Sequence, residues 1–130
     1  MSVANLAYIH ISETEQGSWK SYGGDILGLM PIDSDVHSGH TFLKMDDAPF
    51  RVLVSVQEEG KLLATGWDMG SKDAYQAMIA KLESNGSPVT IGNSDGASLR
   101  CVEEYATTAD PSGNQLEIFH SRTSRAEFDV

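Results

Sequence analysis

The chain carries its strand and helix signals twice over. Residues 6–11 are rich in β-branched and aromatic side chains and read as a strand. Ser12 and Glu15 have the spacing of a capping box, and Trp19, Tyr22 and Ile26 follow at i, i+3 and i+7. This predicts a helix, weakened by Gly17, Gly23 and Gly24 and stopped at Gly28. Strands are predicted over 29–33, 41–45 and 51–56, with a polar loop at 34–40 and a turn at 46–49. After a polar connector at 58–61 the pattern restarts with a strand over 63–69. A helix N-capped by Ser71 follows, with Tyr75, Met78, Ile79 and Leu82 along one face and Gly86 at its end. Three more strands are predicted over 88–91, 102–108 and 115–119. Residues 92–100 read as a long connection, and the turn chemistry of 110–114 makes the last two strands a hairpin.

A βαβββ unit of this size is too small to bury a core alone. The repeat therefore predicts an α+β fold in which two such modules, 5–57 and 61–120, form a curved, barrel-like mixed sheet with helices outside. Paired sheets of this kind enclose a cavity, a natural ligand site. The 130 residues suit one domain, and 121–130 read as a tail or a truncated interdomain linker.

Charge narrows the partners. Nineteen acidic and nine basic residues give a net charge of −10, which repels phosphate backbones and anionic membrane surfaces, so neither nucleic acid nor membrane is expected. A cationic ligand is compatible with that charge. The single cysteine, Cys101, excludes an internal disulfide, and its acidic neighbours Glu103 and Glu104 argue against a thiolate nucleophile. No apolar run is long enough to span a bilayer and the first residues lack a secretory pattern, so a cytoplasmic location is expected. Phosphate-cradling glycine loops and a G-x-S-x-G elbow are absent from the sequence.

Paired βαβββ modules resemble the vicinal oxygen chelate superfamily of glyoxalases, bleomycin-resistance proteins and dioxygenases. Four stretches, in order, narrow the likeness. Residues 5–11 with DILGL at 25–29 resemble the start of type I extradiol ring-cleavage dioxygenases. FLKMDDAPFRVLV at 42–54, LLATGWDM at 62–69 and ADPSGNQLEIFH at 109–120 are similar to later parts of the same N-terminal domain. The resemblance runs through His120 and is greatest to dioxygenases of bicyclic catechols, biphenyl-like or steroid-derived.

That resemblance implies a parent enzyme of two such domains, whose C-terminal domain binds Fe(II) through two histidines and a glutamate. Two nitrogens, one carboxylate and open positions are what catecholate and dioxygen require. Carried onto this chain, the three positions fall on Tyr8, Ala64 and Glu117, so only the carboxylate is retained. Glu117 is then a vestigial position, expected to be satisfied by neighbours or water. His10 shares the face of Tyr8 by strand alternation, which raises a minority site of His10 with Glu117. Tyr8, His10, Trp67, Glu117 and Phe119 are the candidate cavity liners. His37 and His40 stand i, i+3 in a loop, and His120 has the opposite strand parity to Glu117, so it should face away.

The expected function is that of a non-catalytic N-terminal domain of an Fe(II)-dependent extradiol dioxygenase. Its partners would be the C-terminal catalytic domain and further copies of itself, with catechol and dioxygen as the parent's substrates. No catalytic residue, complete metal site or cofactor is expected within these residues. The alternative is a stand-alone, metal-free binding protein of the bleomycin-resistance type, holding a cationic drug in an aromatic groove. A glyoxalase-like metal enzyme would need ligands from both modules, and only Glu117 offers one.

Overall fold

A computed structural model describes residues 5–33, 39–46 and 48–122. His37, most of the predicted loop at 34–40 and the tail from 123 lie outside the described residues. The chain divides into two compact units, one spanning Tyr8–Leu63 and the other residues 64–122 with 5–7.

In the first unit β1 (Asn5–Glu13) leads into a short helix α1 (Ser18–Ser21), a π-helical turn (Tyr22–Ile26), and the strands β2 (Met30–Asp33), β3 (His40–Lys44) and β4 (Val52–Val56). The strand order is β2-β3-β4-β1, antiparallel except for the parallel β1–β4 pair. Ile11, Leu43, Val52 and Val54 bury one face, with Ile9, Trp19 and Leu29 packed on them. The opposite face carries Tyr8, Phe42 and Phe50, all buried, with ring centroids 5.3 Å apart for Tyr8–Phe50 and 4.9 Å for Phe42–Phe50.

The first helix departs from its expected form. Ser12 does not cap it; its hydroxyl donates to the Glu59 carbonyl at 2.5 Å and so ties down the connector after β4. The cap comes instead from Glu13, whose Oε1 accepts from the Trp19 N–H at 2.8 Å and whose Oε2 accepts from Gly17 at 3.0 Å. After one α turn the backbone widens, and the Leu27 N–H reaches back five residues to the Tyr22 carbonyl. That widening breaks the predicted apolar stripe. Trp19 stays on the core, whereas Tyr22 and Ile26 are exposed. Gly23 lies flat on Leu43, and a Cβ there would meet Leu43 Cδ1 at 2.8 Å.

The second unit holds β5 (Leu62–Asp68, which begins in the first unit), α2 (Lys72–Ser84), β6 (Thr90–Ile91), α3 (Ser94–Arg100), β7 (Val102–Ala109) and β8 (Gln115–Arg122). Its order, β5-β8-β7-β6, repeats the connectivity of the first unit: the opening strand runs parallel to the closing one, and the rest are antiparallel. The fold is thus α+β, built from one motif used twice. Ser71 caps α2 as predicted, accepting from the Ala74 N–H at 3.1 Å. Tyr75, Met78, Ile79 and Leu82 pack on Met69, Ala106 and Ile118. The hairpin turn also forms: Asp110 Oδ1 accepts from the backbone N–H groups of Ser112 and Asn114.

The connection expected at 92–100 is a correction. Asn93 accepts from the Gly96 N–H at 2.8 Å and starts α3, which ends at Cys101 in the left-handed region, φ 57°. The Cys101 side chain is buried.

Candidate functional site

The two faces of the second unit differ in character. Ala106, Ile118 and Trp67 face α2. Residues one position along each strand face the other way, and there Gly66 and Thr107 flank Glu117 while Tyr105 sits opposite Phe119. α3 lies on this second face. From its last turn Arg100 reaches Glu117 with a two-pronged grip: Nε donates to Oε1 at 2.7 Å and a terminal nitrogen to Oε2 at 2.8 Å. Both partners are buried, with 9% of Arg100 and 4% of Glu117 exposed. The guanidinium carbon stands 4.1 Å from the centre of the Tyr105 ring, and another terminal nitrogen donates to the Gly96 carbonyl at 2.9 Å.

A buried carboxylate is tolerated when it is paired and hydrogen-bonded, and the planar fork of arginine matches both oxygens at once. Gly92 and Gly96 make the geometry attainable. A Cβ on Gly92 would approach the Tyr105 ring to 2.1 Å, and one on Gly96 the Tyr105 hydroxyl to 2.1 Å. Glu117 is thus enclosed and its charge paired by Arg100.

On the first unit His10 and Tyr8 do share a face, as strand alternation requires. His10 Nε2 is hydrogen-bonded to Ser55 Oγ at 2.7 Å. Ser55 is also the register partner of His40, whose buried Nδ1 has no hydrogen-bond partner. His10 and Glu117 are therefore each engaged within their own unit.

The residues at the three positions suggested for iron do not fit the metal. Tyr8 is packed in an aromatic stack, Ala64 offers no donor atom, and both oxygens of Glu117 are held by Arg100. Among the described residues no group of three or more His, Cys, Asp or Glu side chains could hold a metal ion. No reaction step through iron is assigned to these residues.

Of the other candidate liners, Phe119 is fully buried on the face of Glu117. Trp67 is a correction: it lies on the opposite face under α2, its indole N–H donating to Thr65 Oγ1 at 2.9 Å. Its register partner is Ile118, and that one-residue offset from Glu117 decides its side. His120 also faces α2, as its parity predicts. Its ring lies 5.0 Å from that of Tyr75, and its Nε2 is 2.8 Å from Glu104 Oε2. Burial, with the Glu104 charge adding to it, pushes the Tyr75 phenol up to about 12.

Arg100 is the partner of Glu117 that the sequence does not reveal. It stands 17 positions before Glu117, with no local pattern to join them. The recoverable signal was Asn93, a helix N-cap four residues before the end of a Ser-Asp-Gly-Ala run.

Residues 6–56 match the family described as Dihydroxybiphenyl dioxygenase BphC D1. An iron-dependent extradiol dioxygenase of Rhodococcus jostii (strain RHA1) is 33% identical over 123 residues, covering 92% of this chain and 40% of that protein. A biphenyl-2,3-diol 1,2-dioxygenase of Sphingomonas paucimobilis is 29% identical, with the same coverage of each. Among solved structures, that of a catechol 2,3-dioxygenase superimposes with a TM-score of 0.89 at 23% identity, over 100% of this chain and 43% of that one. The chain is similar in sequence to extradiol dioxygenases and shares the fold of the catechol 2,3-dioxygenase structure. It spans about 40% of the length of these curated relatives, consistent with an N-terminal domain.

No helix among the described residues is long and apolar enough to cross a membrane.

Proposed function

We propose that this chain is the non-catalytic N-terminal domain of an Fe(II)-dependent extradiol dioxygenase, one that opens a bicyclic catechol with dioxygen. Glu117 is the observation that carries the reading. The one retained carboxylate of the implied iron triad is gripped at both oxygens by Arg100 and shut under α3. The iron, the catechol and the oxygen chemistry then belong to a second domain, and this domain's work is to pack against it and against further copies of the enzyme. The similarity to dioxygenases of biphenyl- and naphthalene-diols supports the bicyclic substrate class.

The groove of a bleomycin-resistance-type binder needs its aromatic liners on one face. Trp67, placed under α2, is withdrawn from that role. The test is direct: the 130-residue chain is incubated with Fe(II) and 2,3-dihydroxybiphenyl under air. No yellow ring-opened product should form. Product appearing at a rate proportional to protein would overturn the proposal.

A further inference from the structure

Glu117 has around it what a guanidinium needs. A carboxylate fork meets two N–H groups in its plane, an aromatic ring lies 4.1 Å from the cation, and the Gly96 carbonyl accepts a further N–H. Phe119 is buried on the same face of the sheet. These are the elements by which proteins recognise planar organic cations: bidentate geometry, a π face and desolvation.

The geometry points to a guanidinium-recognition site that the chain fills with its own Arg100, α3 serving as a tethered plug. A free guanidinium or amidinium compound then binds only where Arg100 has been removed or displaced. The plug is shaped for its seat, since Gly92 and Gly96 leave the space that the Tyr105 ring occupies beneath α3. The net charge of −10 also favours cationic over anionic ligands. A structural ion pair and a recognition site make different predictions. The first asks only for a positive charge, and the second asks for a planar fork.

The experiment is chemical rescue of R100A, with ethylguanidinium as the probe and ethylammonium and Mg2+ as charge controls. At about ten times Kd, ethylguanidinium should raise the melting temperature of R100A by about 5 °C. It should leave the wild type and R100A/E117Q unmoved. If R100A does not fold unaided, the readout becomes its refolding yield, which ethylguanidinium should restore and ethylammonium should not. The proposal is overturned if all three proteins shift equally, if either control matches ethylguanidinium, or if ethylguanidinium neither stabilises nor refolds R100A.

Discussion

Glu13 holds the backbone N–H of Trp19 at 2.8 Å and that of Gly17 at 3.0 Å, so the last residue of β1 fixes the start of α1. Its side chain is buried, and the two bonds are charge-assisted. Removing it leaves two backbone donors without their acceptor and loosens Trp19 from the core. E13A should lower the unfolding free energy by about 3 kcal/mol, and E13Q, which keeps one acceptor oxygen, by about half of that. Urea unfolding followed by tryptophan fluorescence measures both. Equal stability of E13A and the wild type would remove Glu13 from this role.

Gly96 is predicted to reverse the usual sign of a helix substitution. Glycine to alanine inside a helix ordinarily gains up to about 1 kcal/mol. Here the new Cβ would stand 2.1 Å from the Tyr105 hydroxyl, and the ring is held by Arg100 above it. G96A should therefore cost about 2 kcal/mol in the wild type. In the Y105A background the same change should be neutral or favourable. A double-mutant cycle from chemical denaturation reads that change of sign, and additive effects would contradict it.

Tyr75 predicts an alkaline weakness. Its phenol is buried with no hydrogen-bond partner for the hydroxyl, and its ionisation is pushed from 10.0 to about 12. The unfolded chain loses this proton first, so the stability is fully present below pH 10 and falls as the pH rises toward 12. By pH 11 this one group should cost about 1.4 kcal/mol relative to neutral pH. Y75F should be as stable as the wild type or more so at pH 8, and should lose about that much less by pH 11. Parallel pH profiles for the two proteins would refute the assignment.

What could be read from the residues alone depended on whether their cause was local. α2 was legible because its cap, Ser71, and its stripe, Tyr75 to Leu82, lie within one stretch of sequence. The hairpin was legible because Asp110 closes its own turn. The start of α1 was not, because Glu13 belongs to the preceding strand and no spacing rule includes it. α3 has seven residues, too few to show a period against its background. At the site, Glu117 could be picked out through the resemblance to extradiol dioxygenases, but its partner could not. Arg100 reaches it only because α3 folds over the face on which Tyr105 and Phe119 stand. Trp67 was misplaced by register, since one residue along a strand exchanges one face for the other.

Cys101 follows Arg100 directly and caps α3 with its side chain only 1% exposed. It is also the one thiol in the protein. The molecule therefore carries its own clock for the opening of α3. A thiol-reactive dye can modify Cys101 only in molecules whose helix end has lifted, so the rate of colour development counts those excursions. No label has to be engineered, and the same trace would record whether an added cation quickens the lifting or stills it.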